Sequence, residues 1–248
     1  KEIKNRIILR QMLLRPPLVD RKGELDAIKE CYKISESAKK QGILVEGESG
    51  IGKTRILEEF AGWTEKQNVF FLFCKLKQKQ EGGPLAALTE LLRLLANSLS
   101  VDKFSDILAK LIPSELAEVL CLYPAAKKLV KDASVKSDPE RRAENIFSGL
   151  CKILINATGE KTLVLAVDDL NCADQITLQF FSVLLGLSSA AKFLFIGAYD
   201  KENEEIPKDL LSKHTFTTIK LRPLAKAEAG QLIVSIFPDI KLESKQIE

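Results

Sequence analysis

Histidine is almost missing from this chain: His214 is the only one in 248 residues. Nothing in the sequence suggests a nucleophilic triad around it, and its place between Lys213 and the last predicted strand reads as a surface loop. Paired cysteines are missing too. The five, Cys31, Cys74, Cys121, Cys151 and Cys172, are odd in number, scattered, and form no C-x-x-C pair. That excludes a disulfide framework and a zinc site of the usual spacing. Most sit in apolar patterns and read as small core residues of a protein in a reducing cytoplasm. No run of about 18 apolar residues exists, so no membrane span is expected. Charge of one sign is lacking: 37 Lys+Arg stand against 34 Asp+Glu, a net +3. That excess is too small to imply nucleic acid, and Lys127-Lys128 reads as a solvated helix face. Repeats and low-complexity segments are absent as well.

What is present is ordinary globular composition, 46% hydrophobic and 29% charged, in a length that suits one large α/β domain. One segment stands apart: Gly47-Glu48-Ser49-Gly50-Ile51-Gly52-Lys53-Thr54. It fits G-x-x-x-x-G-K-S/T, the phosphate-binding loop of nucleoside triphosphatases. An apolar run, residues 42–46, precedes it, and a helical pattern from Lys53 through Trp63 follows. In that context the glycines let successive N–H groups point inward at an anion. The helix start adds free N–H groups and partial positive charge. Gly47, Gly50, Ile51, Gly52 and Arg55 are thus expected around the phosphates. Lys53 is expected to reach the β/γ-phosphates as a catalytic cation, with the Thr54 hydroxyl on Mg²⁺.

A second motif answers the first. Leu163-Val164-Leu165-Ala166-Val167 reads as a buried strand that ends in Asp168-Asp169. This is the Walker B pattern. Asp168 is expected to hold Mg²⁺, and Asp169 to orient and polarise the attacking water. Asp174, just before the next helical pattern, is an N-cap candidate.

The remaining pattern gives an architecture. Predicted strands at 42–46, 68–76, 163–167, 193–199 and 216–221 alternate with helices, as in a parallel sheet covered on both faces. A first helix is expected to open within Leu18–Leu25 and run to about Gln41. Residues 102–138 interrupt the alternation and read as a helical insertion. Both motifs fall at strand carboxyl ends, where such sheets bind ligands. The expected organisation is a linker over 1–17, an ATPase core over 18–238 and the start of a further linker over 239–248. The chain starts without Met and stops soon after a helix, which suggests a segment of a longer protein.

Four boxes resemble those of AAA-like, ORC-related and STAND signal-transduction ATPases. Leu18-Val19-Asp20-Arg21-Lys22-Gly23-Glu24-Leu25 is similar to the box before their first strand. Asp168 to Asp174, Phe195 to Asp200, and Ile219 to Leu224 resemble three later ones. The resemblance implies a P-loop three-layer sandwich with five parallel strands in the order 5-1-4-3-2. It implies ATP with Mg²⁺, and it lays the Leu18–Arg21 box, with Val19 and Arg21, against the adenine. It also implies a switch module that works with other domains of the same chain and oligomerises on activation. Three positions depart from the pattern. Asp20 stands for Gly, Cys172 for Trp, and Asp200 for an Arg that would face the γ-phosphate; Lys201 is a substitute to consider. Asp200 therefore points to slow hydrolysis.

Two other readings use the same residues. One is a nucleotide-held scaffold without turnover. The other is a replication-initiator-like AAA+ ATPase, which would need a basic DNA-contacting surface. No guanine-reading N/T-K-x-D motif is present in a matching place.

Overall fold

The structure is a computed structural model, and it describes residues 18–37, 41–77, 83, 85–130, 139–187, 192–202 and 208–236. The expected linkers at 1–17 and 239–248, and the last part of the insertion at 131–138, lie outside the described residues.

Five strands form the sheet: β1 (Gln41–Gly47), β2 (Val69–Lys75), β3 (Thr162–Asp168), β4 (Phe193–Asp200) and β5 (Thr217–Lys220). All pairings are parallel, in the order β2-β3-β4-β1-β5. This is the sheet order the family resemblance implied. Every residue of β3 is buried, which is why its sequence is a continuous apolar run without alternation.

Side chains nevertheless divide between the two faces with a period of two. Ile43 and Val45 of β1, with Val164, Ala166, Leu194 and Ile196, face α1 (Lys22–Glu36) and α2 (Lys53–Thr64). Ile28, Tyr32, Ile56 and Phe60 of those helices close this layer. Leu44, Leu165, Val167 and Phe195 face the opposite core. There α3 (Ala86–Ser98), α6 (Arg142–Thr158) and α7 (Gln175–Gly186) contribute Leu92, Leu150, Leu154 and Phe180. Phe60 is fully buried in its layer, so truncating it to alanine would cost about 3–5 kcal/mol.

The insertion holds α4 (Val101–Leu108), α5 (Pro113–Leu122) and a 3-10 turn at Pro124–Leu129. Phe104, Ile107, Val119 and Leu120 pack into the same core as α6. Pro113 starts α5 where a missing N–H costs nothing, and Glu115 accepts from the Ile112 N–H at 3.2 Å. The chain continues through α8 (Lys208–Lys213) and closes with α9 (Lys226–Ile236).

Two details differ from the sequence reading. The first helix opens at Lys22, inside the expected box and just past the left-handed Asp20 (φ 45°), but it ends at Glu36, short of Gln41, which already belongs to β1. His214 is half-buried and sits 2.9 Å from the Ser182 hydroxyl, because β5 brings it against α7.

Candidate functional site

The carboxyl ends of β1, β3 and β4 converge on one cleft of about 580 Å³. The loop from Glu48 to Gly52 crosses it. Gly50 and Gly52 hold φ of 77° and 104°, which glycine adopts without strain. A Cβ on Gly47 would lie 2.7 Å from Ile51 Cγ2, so the curl itself needs glycine there. Below the loop, Tyr199 of β4 donates to Glu46 of β1 at 2.8 Å and braces the two strand ends. Burial, then the Glu46 carboxylate, push the Tyr199 phenol well above its ordinary range.

The two motifs meet inside this frame. Lys53 is buried, and its Nζ donates to Gly47 O at 2.9 Å and Glu48 O at 2.8 Å. Thr54 donates from Oγ1 to Asp168 Oδ2 at 2.7 Å, across 114 positions of sequence. Asp168 is fully buried, yet its Oδ1 has no hydrogen-bond partner among the described residues. A buried carboxylate oxygen left bare is costly and asks for a ligand. Together with the Thr54 hydroxyl it offers the hard oxygen donors that Mg²⁺ takes. No cluster of three or more His, Cys, Asp or Glu able to hold a metal exists among the described residues.

Asp169 follows in a left-handed conformation, φ 55° and ψ 45°, and lines the cleft with its carboxylate partly exposed. Aspartate tolerates that region better than most residues. Asp174 caps α7, accepting from the Thr177 N–H at 2.7 Å, so its acid serves the helix. Asp200 lines the cleft on the far side. Its Oδ1 accepts from the Glu202 N–H at 3.1 Å. Its own N–H donates to Asn171 Oδ1 at 3.4 Å. Lys201 is exposed, with its N–H on Gly47 O at 3.3 Å, and it does not line the cleft.

One cation was not visible in the sequence. Lys75, at the end of β2, stands in register with Asp168. Its Nζ lies 3.3 Å from Asp168 Oδ2 and 3.3 Å from Asp169 Oδ2. Burial draws the ammonium toward neutrality, but the two carboxylates outweigh it and hold the group above its ordinary lysine range. Asn171 was equally invisible. Nothing in a polar loop residue announces that it will meet β4.

The Leu18–Arg21 box lies beside the cleft. Leu18, Asp20 and Arg21 line a second cavity of about 510 Å³ that shares Arg55 and Glu58 with the first. Val19 is half-buried and lines neither of these two cavities. Arg21 is buried, and its guanidinium goes to Glu24 at 3.0 Å, to Arg222 O, and to Ile51 O at 3.5 Å. It therefore ties the box to the phosphate loop through protein acceptors. Arg222 in turn bridges Asp20 and Glu228. Arg55 pairs with Glu59 at 2.9 Å and stands 3.8 Å from Glu58.

The sequence matches the AAA ATPase domain family over residues 17–196. The chain belongs to that family. The AAA match includes both motifs and ends within β4, before Asp200. The same fold occurs in solved structures. One is a chain of the E. coli MS115-1 HORMA:CdnC:Trip13 complex, at 10% identity and TM-score 0.52, covering 97% of this chain and 74% of that one. Another is Aeropyrum pernix ORC1 in complex with DNA, at 11% identity and TM-score 0.50, covering 93% and 52%. This AAA domain thus spans about half the length of the ORC1 chain, and at such identities the likeness concerns the fold alone. No curated protein matches it. The domain is a nucleotide-binding module of the AAA type, and among the described residues no helix is long and apolar enough to cross a membrane.

Proposed function

We propose that this AAA domain binds Mg²⁺-ATP and hydrolyses it slowly, as a switch of the STAND kind within a larger signalling protein. One observation carries the reading: the Thr54 hydroxyl bonds a buried Asp168 whose other oxygen has no partner, beside a loop that holds Lys53. The loop N–H groups and the start of α2 would cradle the phosphates. Lys53 would exchange its two carbonyl acceptors for β- and γ-phosphate oxygens, a trade of neutral for charge-assisted bonds. Thr54 and Asp168 would hold the Mg²⁺, which when bound neutralises phosphate charge. Asp169, half in solvent at the cleft wall, would orient a water and accept its proton. The base would occupy the cavity bounded by Leu18, Asp20 and Arg21, next to Arg55.

Asp200 supports slow turnover, since a carboxylate beside the cleft stabilises no developing negative charge. The same residue favours one second reading, a scaffold that holds nucleotide without cleaving it. The four box resemblances support the STAND assignment and the view that 1–17 and 239–248 lead to other domains of one chain. On that view the cycle of binding and cleavage shifts whatever follows, and assembly into homo-oligomers would depend on it.

Equilibrium ATP binding and single-turnover hydrolysis test this on the parent, Lys53→Ala and Asp169→Ala. The reading expects binding to be lost in the first variant and phosphate release in the second. Unchanged ATP binding in Lys53→Ala contradicts the site. Binding without turnover in the parent selects the scaffold.

A further inference from the structure

Lys75 has no part in either motif, yet it occupies the middle of their meeting point. The backbone fixes it there. Lys75 pairs with Asp168 across the β2–β3 ladder, and Leu76 N–H donates to Asp168 O at 3.0 Å. The side chain is about half exposed, at 56%, so its four-carbon stem can turn within the cleft. Its ammonium rests on Asp168 Oδ2, the oxygen that also accepts from Thr54, and on Asp169 Oδ2.

The other cations of the cleft rest on other groups in this structure. Lys53 is held by two loop carbonyls, and Arg55 pairs with Glu59. Asp169, Asp200 and Glu58 give the same cleft three carboxylates besides buried Asp168. A divalent cation that used the bare Asp168 Oδ1 and the Thr54 oxygen would stand within a few ångströms of the Lys75 ammonium. Like charges at that range repel strongly in a partly buried site. The ammonium then has to leave Oδ2, and a bound nucleotide would bring its outermost phosphate into the same cleft as a new anion for it.

We propose that Lys75 is the exchangeable counter-cation of this site: it neutralises Asp168 and Asp169, yields to a divalent cation, and turns to the terminal phosphate. The part at the phosphate rests on the ATP-binding reading above; the part at the carboxylates does not. The position supplies from β2 a positive charge that Asp200, on β4, cannot.

The test uses Lys75→Met and Lys75→Arg, with thermal melting to check that both fold like the parent. Mn²⁺ binding to the nucleotide-free protein, followed by electron paramagnetic resonance, reads the competition directly. Lys75→Met is expected to bind Mn²⁺ at least fivefold more tightly than the parent, and Lys75→Arg no more tightly. Equal Mn²⁺ affinity in parent and Lys75→Met, or no binding by the variant, overturns the exchange whatever the protein does with nucleotide. The second measurement is the ratio of ATP to ADP affinity at saturating Mg²⁺. It is expected to fall at least fivefold in Lys75→Met and to recover in Lys75→Arg. An unchanged ratio overturns the turn to the phosphate. A parent that takes Mn²⁺ but neither nucleotide sinks the ATP reading, while the Mn²⁺ comparison still decides the exchange.

Discussion

Among the described residues, Asp168 under the phosphate loop and Glu115 inside the insertion are two carboxylates buried to nearly the same depth. Their surroundings differ in kind. Glu115 Oε1 accepts from Ser148 and from Lys152, both at 2.6 Å, and Oε2 accepts from the Ile112 N–H at 3.2 Å. Burial alone would raise its pKa, but these donors outweigh burial and hold the carboxyl below its ordinary range. Asp168 has donors on one oxygen only, and the other stays bare. A satisfied buried acid stabilises its surroundings; one left half-satisfied marks a place where something else must bind. The insertion is built for itself, and the strand ends are built for a ligand.

Of changes to these two acids, breaking the Glu115 network gives the larger expected effect on stability. Glu115→Ala should cost about 2–3 kcal/mol, because a buried N–H and a hydroxyl lose their acceptor. Urea unfolding reads this, and ATP affinity should not change. A cost under about 0.5 kcal/mol would erase the contrast with Asp168.

Acid sharpens the same contrast. A carboxyl whose folded pKa lies below its unfolded value stabilises fully above that unfolded value, and the gain is lost as pH falls through the folded one. The advantage of the parent over Glu115→Gln in urea midpoint should therefore hold above pH 4.5, the ordinary value for this group, and shrink below it. A gap independent of pH would assign it to packing.

Asp174→Ala should cost about 1 kcal/mol as a lost helix cap, with nucleotide affinity intact. This acid is close to the Walker pair in sequence, so a large loss of binding would give it a role in the site. Asp168→Asn should show the smallest change in stability, within about 1 kcal/mol and in either direction. It removes a buried charge, and the Lys75 pair it gives up is half exposed and weak.

The layers of the fold were legible in the sequence because parallel strands covered on both faces read as unbroken apolar runs. Leu163–Val167 and Phe193–Tyr199 are such runs, and both lie in the strands observed. The phosphate loop and the Asp168-Asp169 pair were legible because their residues are consecutive. Lys75 was not, because its partners are set by β2–β3 register across an insertion, which no local pattern encodes. The Glu115 network, closed by residues 148 and 152 of α6, was hidden for the same reason. The short α8 carries too few residues for a period to appear. The early end of α1 was hidden because the helical pattern of 22–36 runs on toward a strand whose first residue, Gln41, is polar.

The measurement closest to the central claim is the Mg²⁺ dependence of ATP binding in Asp168→Asn beside Glu115→Gln. The parent and Glu115→Gln should bind ATP more tightly as Mg²⁺ rises, and Asp168→Asn should lose most of that gain. Asp168→Asn that keeps the full Mg²⁺ dependence would show that the bare buried oxygen is not where the metal sits.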